Sequence, residues 1–320
     1  MIGASSNPEM PGDAPRARRR PACNAVDGVL LLDKPLGKTS NQALQTAKRS
    51  LNACKAGHTG SLDPIATGLL PLCFGEATKL SHFLLDADKR YQATFRLGQV
   101  TTTYDSEGEV VNEVPVSVTR KEIEQAMLAF IGEIEQIPPM YSAIKHGGQA
   151  LYKLARAGVE VERSPRQVTV NDFRLLALRE SEIDVEIACT KGTYIRTLAH
   201  DLGQRLGCGA HVTGLRRLAV GKITIEQATP LSALEAIPDI KSRIGLLLPA
   251  DAMLTEIPVI QLTALAAHYL RQGQPVTARH ALRDGWVRLY DETQHFLGVG
   301  EVLDDGRVAP RRLLANHRTY

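Results

Sequence analysis

Alternating apolar and polar positions predict strands in the first two thirds of the chain. In KRYQATFRLG (89–98), apolar side chains recur at every second position from Tyr91 to Leu97. IDVEIACT (183–190) repeats the same period. Successive side chains of a strand point to opposite faces, so each segment is expected to bury one face in a core.

Other segments have the spacing of amphipathic helices. TRKEIEQAMLAFIG (119–132) opens with Thr119 and Glu122 at the spacing of a capping box and then places its apolar residues on one helical stripe. SNQALQTAKRSL (40–51) and TYIRTLAHDLGQRLG (193–207) also have helical spacing. Because strand-like and helix-like segments alternate without a long interruption, we expect one α+β domain.

The two ends of the chain differ from this central part. The first 27 residues are rich in Pro, Gly, Ala and Arg and include RARRR, which predicts a disordered basic tail that either contacts nucleic acid or is a solubilising end. Near the C-terminus, short apolar runs are separated by GQP, DGW and DDG turns, as is typical of a small β-rich domain. We therefore expect a tail (1–27), an α+β domain (28–250) and a β-rich domain (251–320).

Composition and charge narrow the class of protein. With 320 residues and 43% hydrophobic content, the chain can form a large core. No apolar run approaches the roughly 20 residues of a transmembrane helix, so no membrane association is expected. The net charge is only +3, so any surface that binds nucleic acid must be local.

Cysteine spacing gives a further expectation. The five cysteines are scattered singly and form no CxxC pair, so the sequence supports neither a disulfide framework nor a zinc site. A cytoplasmic, reducing compartment fits this usage best. The cysteines are Cys23, Cys54, Cys73, Cys189 and Cys208.

The segment GHTGSLDPIATGLL (57–70) places a single carboxylate, Asp63, in a loop with few other charges. Pro64 holds the backbone of Asp63 extended, and the nearby glycines leave room for a ligand. The residues alone leave two interpretations open: Asp63 caps the following turn, or it presents a carboxylate to a planar ligand. His58 has no second ligand at metal-binding spacing, so no metal is expected.

Six blocks of sequence, taken together, resemble the bacterial tRNA pseudouridine-55 synthase family. The resemblance extends from about residue 28 to the C-terminus, and it implies the pseudouridine synthase fold: a mixed, largely antiparallel sheet flanked by helices, followed by a PUA-like β barrel that binds RNA. The blocks occur in one order: LLLDKPLGKTS (30–40), GHTGSLDPIATGLL (57–70), ATKLSHFLLDADKRY (77–91), MYSAIK (140–145), CTKGTYIRTLAHDLG (189–203) and GAHVTGLRRLAVG (209–221).

The resemblance implies an enzyme that isomerises the uridine at position 55, in the T loop of tRNA, to pseudouridine. Asp63 matches the catalytic aspartate, a nucleophile that attacks a flipped-out base at C6 or its sugar at C1′. No cofactor is implied, and we expect a monomer that binds the T arm of tRNA. The alternative function is a noncatalytic tRNA-binding or RNA-folding protein that uses the same cleft. A guide-RNA-dependent relative is a further possibility, but the short chain favours a stand-alone enzyme.

Other residues take their roles from the same resemblance. Arg196 is implied to pair with the carboxylate of Asp63 and to keep it ionised. Taken alone, Tyr91 is equally compatible with a core position and Arg196 with a surface salt bridge, whereas Leu215 is better explained as a core residue. The resemblance also implies four uridine-binding residues. Tyr91 stacks on the base and takes part in removal of the C5 proton, and Tyr194 contacts the base. Leu215 lines the pocket, and His58 contacts the RNA nearby.

A basic segment (140–166) interleaves tyrosines with lysines and arginines and resembles the RNA-gripping insertion of the family. By the residues alone, its helix is more often an ordinary charged surface helix. The chain also departs from the family, because LGQVTTTYDSEG has Thr102 where an acid is common, although Asp105 follows. The residues expected to bind RNA are Lys145, Lys153 and Arg156 in this segment, together with Lys34 in the DKP segment, which buttresses the site.

Overall fold

The structure is a computed structural model, and it describes residues 23–278 and 284–315. The helices in these ranges are α1 Ser40–Ser50, α2 Ser81–Leu85, α3 Arg120–Leu128, α4 Leu151–Arg156, α5 Ile195–Arg205, α6 Leu231–Ala236, α7 Ile240–Ile244 and α8 Ala264–Arg271. The strands are β1 Gly28–Lys34, β2 Ala56–His58, β3 Ala66–Phe74, β4 Lys89–Leu97, β5 Gln99–Thr101, β6 Val110–Glu113, β7 Gly132–Gln136, β8 Lys145–His146, β9 Gln149–Ala150, β10 Arg166–Arg179, β11 Glu182–Cys189, β12 Ala210–Val220, β13 Ile223–Thr224, β14 Thr229–Pro230, β15 Val259–Gln261, β16 Val276–Thr277, β17 Gly285–Tyr290, β18 Phe296–Val302 and β19 Arg307–Leu313.

One large sheet organises the first domain. Its strand order is β14-β1-β3-β12-β4-β11-β10-β7, with β2 added to β3 and β13 to β12. Within this sheet, β1 pairs parallel with β14 and β3 pairs parallel with β12, whereas the other pairs are antiparallel. The expected mixed, largely antiparallel sheet flanked by helices is therefore confirmed. Across both described ranges the longest helices have 11 residues, and none of the helices is a candidate membrane span.

Two of the hydrophobic clusters that lie against this sheet meet near its centre. In the first cluster, residues of α3 and α5 pack against β4, β11 and β12. In the second, residues of α1 and α6 pack against β1 and β3. Tyr91 on β4 and Leu215 on β12 are only partly buried and contact both clusters. Tyr91 and Leu215, at the middle of the sheet, can therefore line an open space between the two clusters.

The predicted periodicities match the elements, with one difference at a helix end. Ala93, Phe95 and Leu97 are at most 2% exposed, as the alternation in β4 requires. Helix α3 begins at Arg120 with the expected capping box at Thr119. It ends at Leu128, earlier than the apolar stripe predicts, because the next residues form tighter turns with bonds three residues back.

The C-terminal part forms a separate five-stranded sheet in the order β15-β17-β18-β19-β16, and α8 packs on it. The expected small β-rich domain is confirmed, and its sheet is consistent with a PUA-like fold. The position of the boundary between the two domains stays a prediction.

Residues 23–27, which the sequence analysis assigned to the tail, contact the first domain. Asn24 forms a parallel bridge with Ala53, and Val26 is buried. This bridge brings Cys23 and Cys54 to a Cα–Cα distance of 5.0 Å, and their sulfurs form a disulfide. The expectation of unpaired cysteines is therefore wrong for this pair, because a contact across 31 residues leaves no local pattern. The RARRR segment lies outside the described residues.

We expect the purified, oxidised protein to lose stability when this disulfide is reduced. A cross-link between positions 31 residues apart restricts the unfolded chain and stabilises the fold by roughly 3 to 4 kcal/mol. Thermal unfolding with and without reductant measures the loss, and the double variant Cys23→Ser/Cys54→Ser should not respond to reductant. Alkylation of Cys23 or Cys54 in the oxidised protein would contradict the bond.

Candidate active site

Asp63 lies in the loop between β2 and β3, and contacts on both sides hold this loop. The backbone N–H of Leu62 donates to the hydroxyl of Ser40 at the start of α1 (2.7 Å), and that hydroxyl donates to the Leu62 carbonyl (3.0 Å). On the other side, the Pro64 carbonyl accepts from the N–H of Gly37 (2.9 Å). The backbone is thus fixed while 40% of the Asp63 side-chain surface stays exposed.

Arg196, in the first turn of α5, faces this carboxylate. Its side chain is only 5% exposed, and Nη2 lies 2.9 Å from Oδ2 of Asp63. Nη1 lies 3.4 Å from Oδ2 of Asp105. The guanidinium also donates to the carbonyls of Thr103 (3.1 Å) and Tyr141 (2.8 Å). Arg196 is therefore a buried cation held between two carboxylates, and not a surface salt bridge.

The surroundings of Asp63 raise the pKa of its carboxyl above the ordinary value. Removal from bulk water is the main cause, and the negative charge of Asp105 adds to it. Arg196 and Lys34 oppose the rise. The expectation that Arg196 lowers the pKa is thus right in sign for that one interaction, but burial outweighs it and the net shift is upward.

Asp105 is a site residue to which the sequence analysis assigned no role. It is 2% exposed, accepts from the Thr103 hydroxyl and from the N–H of Glu107 (3.0 Å), and faces Arg196. Thr102, which stands where the family commonly has an acid, is exposed, and its hydroxyl accepts from the N–H of Glu109 (3.2 Å). The acidic partner of Arg196 in this loop is therefore supplied by Asp105.

The start of α5 is fixed by a second residue that sequence reasoning missed. Gln136, at the end of β7, is 1% exposed. Its side chain accepts from the N–H of Tyr194 (3.0 Å) and donates to the Tyr194 carbonyl (3.3 Å). These two bonds hold the residue before the helix and so set the position of Arg196. An isolated glutamine at a strand end carries no signal for this role.

A cavity of about 330 Å³ opens in front of Asp63. This volume is at the lower end of ordinary ligand pockets. Of the predicted site residues, the structure brings five to the cavity wall, together with Lys89, Arg217 and Ser142. The five are Asp63, Tyr91, Tyr194, Arg196 and Leu215.

Arg217 supports one side of this cavity, and the sequence analysis did not identify it. It is 1% exposed, and Nε donates to the Leu69 carbonyl (2.7 Å) while Nη2 donates to the Gly60 carbonyl (3.3 Å). Arg217 also opposes the rise that burial causes in the pKa of the Tyr91 phenol, and the two residues face each other in the pairing of β12 with β4. Arg217 therefore connects the Asp63 loop, β3 and Tyr91.

Gly68 lets β3 and β12 approach each other closely beside the cavity. Its backbone has φ +102°, and a Cβ at this position would lie 2.4 Å from the carbonyl oxygen of Arg217. No side chain fits at that distance. The parallel pairing of Leu215 with Ala66 and of Arg217 with Gly68 depends on this contact.

Lys34 and His58 are less exposed than direct contacts with RNA would favour. Lys34 is fully buried, its ammonium donates to the carbonyls of Pro35 and Lys38, and burial lowers its pKa to about 8. This burial fits a buttressing role for Lys34, and its contact with RNA stays a prediction. His58, on β2, is half-buried and lies outside the cavity wall, and burial and Arg217 lower its pKa.

The basic insertion forms a β8–β9 hairpin followed by α4. Lys145, Lys153 and Arg156 are exposed on it, and the Arg156 guanidinium lies 5.7 Å from the centre of the Tyr152 ring. Ser142, at its base, lines the cavity. The insertion is therefore connected to the site although its cations lie outside the cavity.

Within residues 23–278 and 284–315, no group of three or more His, Cys, Asp or Glu residues could hold a metal ion.

Comparison with known proteins identifies the family. The model of the TruB family pseudouridylate synthase N-terminal domain matches residues 48–195, and two TruB C-terminal models match residues 196–255 and 258–314. A tRNA pseudouridine synthase B of Pseudomonas aeruginosa (strain UCBPP-PA14) is 53% identical over 295 residues, which cover 91% of this chain and 96% of that protein. This chain belongs to the TruB family of pseudouridylate synthases.

Other relatives agree with this TruB assignment. A tRNA pseudouridine synthase B of Nitrosococcus oceani is 53% identical over 302 residues, 93% of this chain and 98% of that protein. Among solved structures, a chain of a Cbf5–Nop10–Gar1 complex has a TM-score of 0.68 at 24% identity and covers 93% of this chain and 92% of its own length. The solved structure confirms the pseudouridine synthase fold. The family and the enzyme class, an isomerase, are likewise as expected, while the roles of single residues stay predictions.

The raised pKa of Asp63 predicts that Asp63→Asn stabilises the TruB chain at neutral pH. Because the pKa of Asp63 is higher in the folded than in the unfolded state, protonation of Asp63 stabilises the fold. This stabilisation is fully present below the ordinary pKa of about 3.9, and it is lost as the pH rises through the raised pKa. The amide variant avoids this loss. Its melting temperature should exceed that of the wild type at pH 7.5, and the difference should shrink toward pH 4.

Asp172→Asn is the matched control for this measurement. Asp172 is 41% exposed and pairs with Arg174 at 2.6 Å, so it resembles Asp63 in exposure and partner, but it lies on the surface of β10. It should show no gain at neutral pH. A pH-independent effect of Asp63→Asn would contradict the electrostatic explanation.

Proposed function

We propose that this chain converts the uridine at position 55 in the T loop of tRNA to pseudouridine, with Asp63 as the nucleophile. The observation that carries the proposal is the ion pair of 2.9 Å between Asp63 and the buried Arg196 on the wall of a cavity that also presents an apolar leucine and two tyrosines. The names of the TruB relatives, which specify tRNA, support the substrate.

The reaction needs one nucleophile and no external co-substrate. Asp63 forms a bond with C6 of the base or with C1′ of the ribose, and the N1–C1′ bond breaks. The base turns, C5 bonds to C1′, the C5 proton leaves, N1 takes a proton and the carboxylate is released. Atoms and electrons balance within the nucleotide. Arg196 stabilises the ionised carboxylate at the start and at the end of the cycle.

The cavity wall suits a flipped-out pyrimidine. A base taken out of its stack costs a few kcal/mol, and stacking on an aromatic ring returns roughly 1 to 3 kcal/mol. Tyr91 is proposed to stack on the base and to assist loss of the C5 proton, Tyr194 to contact the base, and Leu215 to contact its apolar face. Burial raises the pKa of Tyr91, so its phenol is neutral at physiological pH.

Exposed cations near the cavity are proposed to hold the T arm. Lys145, Lys153 and Arg156 lie on the insertion whose base reaches the cavity, so phosphates of a bound arm would meet them while one base enters. Binding through phosphates releases counterions and weakens as salt rises. We propose a monomer that acts on tRNA in the cytoplasm.

Asp63→Asn should bind unmodified tRNA with wild-type affinity and form no pseudouridine. The amide keeps the shape of the side chain but lacks the nucleophilic charge. Nucleotide-resolved mapping of pseudouridine after incubation with a tRNA transcript measures the product, and Asp172→Asn, with the same chemical change on the surface, should retain full activity. Turnover by Asp63→Asn would refute the assigned nucleophile, and a wild type that binds tRNA without product would favour the noncatalytic alternative.

Lys153→Ala and Arg156→Ala should each weaken tRNA binding and reduce the slope of log affinity against log salt by about one. The rate at saturating enzyme should not change, because neither cation lines the cavity. Lys121→Ala, on the exposed surface of α3, is the matched control. Unchanged salt slopes in the two insertion variants would exclude a phosphate-binding role.

A further inference from the structure

Two aromatic rings stack beside the site without any part in the mechanism above. The rings of Tyr104 and His200 have centroids 4.0 Å apart and planes inclined by 15°. Both side chains are half-buried. Burial lowers the pKa of His200, so its imidazole is uncharged at neutral pH.

The stack connects helix α5 to the loop of residues 101–109, and Arg196 connects the same two segments. His200 follows Arg196 by four residues on α5, so both side chains leave the same face of that helix. Tyr104 lies between Thr103, whose carbonyl accepts from Arg196, and Asp105, which pairs with Arg196. The loop of residues 101–109 is therefore attached to one face of α5 at two neighbouring points.

The backbone of Tyr104 explains why the loop needs the second attachment. Its φ is +62°, in the left-handed region that a bulky residue rarely adopts. Two backbone bonds hold this conformation: the Tyr104 N–H donates to the Thr101 carbonyl (3.2 Å), and its carbonyl accepts from Val212 (3.0 Å). The left-handed turn directs the Tyr104 ring onto His200 while the carboxylate of the next residue points to Arg196.

We propose that His200 is a positioning residue, which through its stack on Tyr104 holds the 101–109 loop so that Thr103 and Asp105 keep Arg196 directed at Asp63. Loss of the stack leaves the loop free to withdraw Asp105, and the guanidinium then loses its second carboxylate. The consequence for turnover rests on the proposed function, whereas the consequence for the charge state of Asp63 does not.

The test compares His200→Ala with His200→Phe. In single-turnover reactions with excess enzyme, His200→Ala should lower the rate constant about tenfold and change the Kd for tRNA less than twofold, because the loss of an aromatic pair acts on the reacting geometry. His200→Phe keeps a ring for the stack and should restore the rate to within about twofold of the wild type. Tyr104→Leu removes the stack from the other side and should match His200→Ala.

A second measurement does not depend on catalysis. In a carbon-13 NMR titration, the Asp63 carboxyl should have a higher pKa in His200→Ala than in the wild type. A displaced Arg196 lowers this pKa less, and that change outweighs the smaller, opposite effect of withdrawing the negative charge of Asp105. The wild-type pKa should return in His200→Phe. His268→Ala, which removes a histidine beside Tyr269 on α8 (ring centroids 5.5 Å apart), is the matched control and should leave both the rate and the titration unchanged.

The outcomes separate the two proposals. A wild type without activity, together with an Asp63 pKa that responds to His200→Ala, would refute the proposed function and leave the positioning role intact. An unchanged rate and titration in His200→Ala would overturn the positioning role. Equal losses in His200→Ala and His200→Phe would overturn the stack as its cause. If His200→Ala fails to fold, His200→Phe and Tyr104→Leu decide the question by the same criteria.

Discussion

The guanidinium of Arg196 is the group on which the site depends. A buried cation is stable only when carboxylates and carbonyls replace its lost water, and here the partners come from three separate segments: the Asp63 loop, the 101–109 loop and the base of the insertion at Tyr141. Each of these segments is a loop at the point where it contacts Arg196. The position of the guanidinium therefore depends on all three segments at once.

This arrangement also explains how the Asp63 carboxylate can be partly exposed beside a buried cation. The two hydrophobic clusters meet at Tyr91 and Leu215, and neither closes over the gap between them. The large sheet of the first domain forms the floor of this gap, and loops surround it. A planar guest can enter without moving the core, and the protein surface around Asp63 replaces the water that would otherwise solvate the carboxylate.

Local patterns predicted the parts of the structure that local interactions form. The alternation in β4 and β11 and the cap of α3 are short-range features, and they were read correctly. The lone carboxylate of Asp63 was also visible, and resemblance to a family linked it to Arg196, which is 133 positions away by sequence number. The bulk of the fold and the centre of the site could thus be predicted.

The remaining features depend on contacts between distant positions. Gln136 bonds the backbone of Tyr194, and Arg217 bonds Leu69, across 58 and 148 residues. Lys34 resembles an exposed lysine because lysines are rarely buried, and only the surrounding carbonyls show otherwise. Such residues have no periodicity of their own, since their roles come from neighbours that the chain reaches only after folding.

The close approach at Gly68 sets a limit on how this molecule can vary. The missing side chain lets β3 lie directly against β12, so the strand that follows the Asp63 loop and the strand that bears Leu215 and Arg217 share one register. Even a methyl group would wedge the two strands apart and move the floor of the cavity relative to Asp63. A position with no chemistry of its own thereby sets how the loop and the strand on either side of the cavity are placed.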